Sequence, residues 1–249
     1  MRPELVVAHV TDTHLGGPRR ARRRNQQVLE HLLAMTPPPD VLLITGDVAD
    51  HGTPEEHAAA REVWDRWPGP VLVLPGNHDV REAFSRAWLD GREGPLDQEL
   101  VVDGVRFLAL DSLVTAPPGG RTDHGELAAE SLRWLEARLA SVAVPTFVCL
   151  HHPPVPLGVE LMDPIALREP EALAAVVERH DCVVAVLVGH AHTACATTFA
   201  GRPLLVGGGV ASTVPLDAEP LPSIWDDAPV SFALHALVGG RLVTHWRSL

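Results

Sequence analysis

The hydrophobic positions of this chain fall in short, almost unbroken runs, and most of the runs end on a polar residue. LVVAHVTD (5–12), VLLITGD (41–47), VLVLPGNHD (71–79), VRFLALD (105–111), TFVCLHHP (146–153), VVAVLVGH (183–190), RPLLVGG (202–208), FALHALV (232–238) and LVTHWRS (242–248) read as strands covered on both faces. Helical spacing separates the early ones. NQQVLEHLLAM (25–35) places Val28, Leu29, Leu32 and Leu33 on one face, and LAAESLRWLEARL (127–139) does the same with Leu132, Leu135 and Leu139. PEEHAAAREVWDRW (54–67) starts with Pro54 in its first turn behind Thr53 as N-cap, and EPEALAAVVERH (169–180) is a fourth helical stretch. Alternation of strand and helix predicts an α/β fold with parallel segments. The strands from 203 to 248 follow one another without a helix, which predicts antiparallel pairs. PPGGRTDHG (117–125) and PLDAEPLPSIWDDAP (215–229) read as long surface loops.

Composition narrows the class. A length of 249 residues suits one α/β domain, and 46% hydrophobic residues build its core without metal or disulfide staples. Cys149, Cys182 and Cys195 form no CxxC pair and leave an odd thiol, as expected in a reducing compartment. MRPELVVAHV is too short in its apolar run for a signal peptide, and no stretch approaches a membrane span, so a cytoplasmic protein is expected. The net charge of −12 argues against a general nucleic-acid binder. One basic cluster, Arg19, Arg20, Arg22, Arg23 and Arg24, has two readings: a solvated helix start, or a collar attracting an anionic substrate.

The polar residues that end the runs make an ordered set. Asp12-Thr13-His14, Gly46-Asp47, Gly76-Asn77-His78-Asp79, His151-His152 and Gly189-His190-Ala191-His192 stand at the C-terminal ends of five apolar strands, where open α/β sheets collect ligands. Carboxylate, amide-oxygen and imidazole donors together suit Mn, Fe, Co or Zn. Asp12, His14, Asp47, Asn77, His151, His190 and His192 are too many donors for one ion with an open position, and match two, with Asp47 the natural bridge. Ions held roughly 3.5–4 Å apart generate a bound hydroxide and clamp both sides of a phosphoryl displacement.

With D-x-H, GD, GNHD, HHPP and GHxH in this order, the chain resembles the calcineurin-like metallophosphoesterases. HHPPVPLG, MDPIAL and HGELAAESLRWLEARL are similar to the bacterial class III cyclic-nucleotide phosphodiesterases and the related glycerophosphodiesterase. The resemblance implies a four-layer α/β/β/α sandwich of two mixed sheets, one domain over 1–249 with the late strands 203–249 completing the second sheet. It implies that Asp12, His14 and His192 hold one metal ion and Asn77, His151 and His190 the other, with Asp47 between them and Mn, Fe or Zn as occupants. It implies that His78 faces the substrate, steadying phosphoryl oxygens or protonating the leaving group, and that Asp50 orients His78. The implied activity is hydrolysis of small phosphodiesters, 3′,5′-cyclic nucleotides included, with a homodimer among the family's arrangements. A phosphomonoesterase, a nuclease and a non-catalytic scaffold are the alternatives; the charge opposes the nuclease, and the filled ligand set opposes the scaffold.

Other polar residues are read individually. Asp79 ties its own turn to backbone, His152 packs or supports rather than ligates, and His124 is a loop residue that can hang over the site. His9, three residues from Asp12, faces the opposite side of its strand. His31, His57, His180, His235 and His245 are expected to be structural. Relatives acting on glycerol diesters offer a histidine in a late loop where this chain has Ser212.

Overall fold

The computed structural model describes residues 3–17, 19–116 and 120–249. Its elements begin with β1 (Leu5–Val10), α1 (Arg19–Ala34), β2 (Val41–Thr45), α2 (Pro54–Trp64), β3 (Val71–Leu74), α3 (Arg81–Trp88), β4 (Gln98–Val102) and β5 (Val105–Ala109). They continue with α4 (Ala129–Ser141), β6 (Thr146–Cys149), α5 (Glu171–Glu178), β7 (Val183–Val188), β8 (Cys195–Phe199), β9 (Arg202–Val206), β10 (Ser231–Val238) and β11 (Arg241–Ser248). Two mixed sheets result, ordered β11-β10-β1-β2-β3 and β4-β5-β6-β7-β9-β8.

The strands alternate their faces between two apolar layers. Leu5 and Val7 of β1, Leu43 of β2 and Leu72 of β3 meet Phe107, Phe147, Ala185 and Leu187 between the sheets. Their neighbours Ala8, Val10, Leu42 and Ile44 face Val28, Leu29, Leu32, Val63 and Trp64 of α1 and α2. Leu135 and Leu139 of α4, with Leu173 and Val177 of α5, cover the outer face of the second sheet. This is the four-layer α/β/β/α arrangement, and it explains the unbroken apolar runs: strands with both faces buried have no polar position to alternate. The helix at 54 begins as expected, with Thr53 accepting from the Glu56 N–H and Glu56 returning the bond to Thr53. Leu33 departs from its expected face and is 36% exposed.

The expectation that 203–249 completes the second sheet is corrected in part. β9 does so, parallel to β7 and antiparallel to β8. β10 and β11 return to the first sheet, where β10 pairs antiparallel with β1, Leu5 opposite Leu237. The crossing is fixed by Val210 and Ala211 donating to the carbonyls of Thr11 and Asp12, and by buried Arg24 on the carbonyls of Ala211, Asp226 and Ala228. An apolar run does not specify which free strand edge it joins. Among the described residues, no helix is long and apolar enough to cross a membrane.

Candidate metal centre and active site

β1, β2 and β3 run parallel, as do β6 and β7, so the loops leaving them gather at one end of the sandwich. The loops are knitted together: Asp12 donates its N–H to the Gly46 carbonyl, Thr13 and His14 to that of Asp47, and Gly189 to that of His151. Five of the converging residues have left-handed backbone: Asp12 (φ 52), His14 (φ 44), Asp47 (φ 49), His190 (φ 68) and His192 (φ 53). Such conformations cost about 1–3 kcal/mol each in non-glycine residues and persist where the surroundings impose them. Space is equally tight. A Cβ at Gly76 would collide with Oδ1 of Asp47, and one at Gly46 with the ring of His151.

The seven expected donors come together, and their outer atoms are already committed. His151 Nδ1 donates to the Thr45 carbonyl at 2.7 Å. His14 Nδ1 donates to Asp50 Oδ1 at 3.0 Å, and His192 Nδ1 meets the hydroxyl of Ser212 at 2.9 Å and its carbonyl at 3.2 Å. With Nδ1 fixed as donor, Nε2 is the nitrogen of each ring that points inward, where it is available to a cation. Inward, ring nitrogens and acceptor oxygens crowd together. His14 Nε2 lies 3.2 Å from His192 Nε2 and 3.6 Å from Asp47 Oδ2, and His192 Nε2 is 3.5 Å from Asp12 Oδ1. On the other side His151 Nε2 is 3.3 Å from Asp47 Oδ1, 3.1 Å from Asn77 Oδ1 and 3.2 Å from His190 Nδ1. Asp12 Oδ1 is buried with no hydrogen-bond partner. Acceptors crowded around two common points, one of them orphaned, are what cations require. The residues present therefore fit a pair of metal ions.

The carboxylates make the centre a place for positive charge. Burial opposes protonation of His151, but the Asp47 carboxylate beside it, with Asp12 further off, outweighs burial and lifts the ring to about 9, so a proton and a cation compete for its Nε2. Asp47 is itself held well below the usual carboxylate range in spite of full burial, chiefly by His151. Burial lowers His190 and His192, so each ring stays neutral, with one nitrogen free to bind a metal.

Three other side chains complete the site. His78 donates its backbone N–H to Asp47 Oδ1 at 2.9 Å, and its ring Nε2 lies 4.0 Å from Asp47 Oδ2. Its Nδ1 donates to the backbone carbonyl of Asp50 at 2.7 Å. The expectation for Asp50 is corrected here: its carboxylate orients His14, and His78 takes the carbonyl. Asp79 does more than tie its own turn. It accepts from the Gly76 N–H and also from Val48 and Ala49, pinning the Asn77 and Asp47 loops together.

His152 lies near His151 and His190, but both of its nitrogens are used, Nδ1 by the Ser112 hydroxyl at 2.8 Å and Nε2 by the Asp123 carbonyl at 3.2 Å. His124 turns to Glu126, and Arg121 and Asp123 of the same loop reach the site instead. His9 is buried between the sheets on His235 and Thr45. Of the arginine cluster, Arg20 pairs with Asp226, Arg22 with Glu62, Arg24 is buried and Arg23 is exposed. The side chain of Arg19 lies outside what the structure describes. Thr45, Ser112, Arg121 and Asp123 carried no sequence signal, since a backbone acceptor or a loop cation has no motif.

Donors paired around two points at the strand ends of an α/β/β/α sandwich define a binuclear metal hydrolase. The calcineurin-like phosphoesterase family model matches residues 5–194, and the chain belongs to that family. It is 37% identical over 226 residues to a cAMP/cGMP dual specificity phosphodiesterase of Mycobacterium tuberculosis, covering 85% of this chain and 69% of that protein. It is 32% identical over 260 residues to a glycerophosphodiester phosphodiesterase of Enterobacter lignolyticus, covering 98% and 91%. A dimetal phosphatase from Danio rerio shares the fold with a TM-score of 0.78 at 16% identity, over 99% of this chain and 97% of that one.

Proposed function

We propose that the chain hydrolyses small phosphodiesters, 3′,5′-cyclic nucleotides among them, at a two-metal site. The observation that carries the reading is the convergence of inward ring nitrogens from His14, His192 and His151 on Asp12, Asp47 and Asn77. Asp12, His14 and His192 would hold one ion and Asn77, His151 and His190 the other, with Asp47 placed to serve both. The donor set suits Mn, Fe or Zn. Bound there, the ions supply Lewis acidity and lower the pKa of the attacking water. Relatives named for cyclic-nucleotide and glycerophosphodiester hydrolysis support the diester class. The three unpaired thiols support a cytoplasmic setting.

His78 contributes the protein's own proton chemistry. With Nδ1–H held on the Asp50 carbonyl, a proton added at Nε2 makes an imidazolium that donates to a phosphoryl or departing oxygen. Asp50, Ser212 and the Thr45 carbonyl hold the rings of His14, His192 and His151 in the tautomer that binds a cation.

The test is hydrolysis of bis(p-nitrophenyl) phosphate against p-nitrophenyl phosphate, after chelation and with Mn²⁺ restored. Diester turnover that vanishes on chelation and returns with Mn²⁺ supports the reading. Turnover of the monoester alone rejects the diester class, and activity indifferent to chelation rejects the metals.

A further inference from the structure

A cleft of about 980 Å³ opens beside Asn77 and His78, between α3 and the segments 113–116 and 120–123. Four arginines line it: Arg81, Arg86, Arg92 and Arg121. Three are held by neighbours. Arg81 is clasped by both oxygens of Asp111 and by the Leu113 carbonyl, Arg86 by Glu82, and Arg92 by the Asp97 carbonyl. Arg121 differs. Its Nε is fixed on Asp123, whose Oδ1 also faces the Asn77 amide at 3.5 Å, so the guanidinium is anchored at the rim of the candidate metal centre. Its Nη1 then stands 3.0 Å from His78 Nδ1. That nitrogen has already given its proton to the Asp50 carbonyl, so the contact sets one donor against another. Among the described residues, no acceptor meets Nη1 or Nη2 of Arg121. A half-exposed guanidinium held by one end, with its donors aimed across a donor, is poised for an anion.

We propose that Arg121 clamps a non-bridging oxygen of the substrate phosphoryl group next to His78, leaving the cleft for one ester arm. This rests on the phosphodiesterase reading and extends it by a binding residue outside the motifs. No bond forms or breaks at Arg121; its planar fork adds two charge-assisted N–H donors to an oxyanion. Among the described lining residues no Phe, Trp or Tyr is present, so the ester arm meets the aliphatic wall of Val80, Leu113 and Val114 rather than an aromatic one.

The test uses Mn²⁺-loaded protein with inorganic phosphate as the probe, by calorimetry and by inhibition of diester hydrolysis. Arg121→Gln is expected to weaken phosphate binding about tenfold or more and to raise KM for bis(p-nitrophenyl) phosphate similarly, with a smaller change in kcat. Arg121→Lys recovers part of the loss because it keeps the charge without the fork. Arg179→Ala, outside the cleft and paired with Glu136, leaves phosphate affinity unchanged. Wild-type phosphate affinity and KM in Arg121→Gln overturn the clamp, as does an equal loss in Arg179→Ala. Wild-type protein that turns over no diester overturns the functional reading instead, and phosphate calorimetry still decides on Arg121. Arg121→Lys serves if Arg121→Gln fails to fold.

Discussion

The carboxylate of Asp50 hydrogen-bonds to Nδ1 of His14 at 3.0 Å, while its backbone carbonyl takes Nδ1 of His78. One residue thus fixes two rings by two different groups, and only one of the groups belongs to its side chain. Asp50→Ala is therefore expected to leave His78 in place and to weaken the ion at His14 by about 10–100-fold. The measurement is the Mn²⁺ concentration for half-maximal activity. An unchanged Mn²⁺ requirement with a collapsed kcat would return Asp50 to the role of orienting His78.

His78→Ala is expected to lower kcat by about 10²–10⁴-fold without emptying the metal centre. Burial lowers the His78 pKa, so a donating imidazolium is lost as pH rises through that lowered value, giving the rate profile an alkaline limb. In His78→Ala the limb disappears. The deficit is smaller for a p-nitrophenyl ester, whose leaving group needs no proton, than for an alkyl ester. Equal deficits would remove the proton-donor role.

Asp79 holds the Asp47 and Asn77 loops in register through three buried N–H groups. Asp79→Asn turns an amide against at least one of those donors, and an unsatisfied buried donor costs about 1–3 kcal/mol. A lower melting temperature in metal-free protein, together with reduced Mn²⁺ affinity, is the expected result. A variant as stable and as tightly loaded as the wild type would contradict it.

His9 and His57 are buried and neutral, their pKa values lowered by burial to about 3 and about 4. Unfolding restores the ordinary value near 6.5, so below that pH the unfolded chain binds protons that the folded chain refuses. Stability therefore falls as pH drops from about 6.5 toward 4, by up to about 1.4 kcal/mol per pH unit for each histidine. Urea unfolding at pH 7, 6 and 5 measures the slope, and His9→Gln is expected to remove one histidine's share. A flat profile over that range would contradict the neutral assignment.

The proposed metal ligands are legible because each follows a strand whose positions are almost all apolar. Both-face burial erases the background against which Asp12, Asp47 and His190 stand out. The same rule hid other parts of the fold. The edge strands β4 and β8 keep exposed residues and lack an apolar run. α3 has eight residues and no side-chain cap at Val80, leaving no start signal. The return of β10 to β1 depends on Arg24 and on the Val210 backbone, contacts between segments far apart in sequence. Asp50 was found as a residue but not by its acting group, since a sequence does not tell a carboxylate's partner from a carbonyl's. Arg121 sits in a Gly-rich loop with no motif, and only its approach to His78 marks it.

The central claim is that seven side chains on five strand ends hold two cations. Anomalous scattering from crystals grown with Mn²⁺ tests it most directly. Two peaks per chain are expected, roughly 3.5–4 Å apart, with Asp47 touching both. A single peak, or none among Asp12, His14, Asp47, Asn77, His151, His190 and His192, would contradict the account.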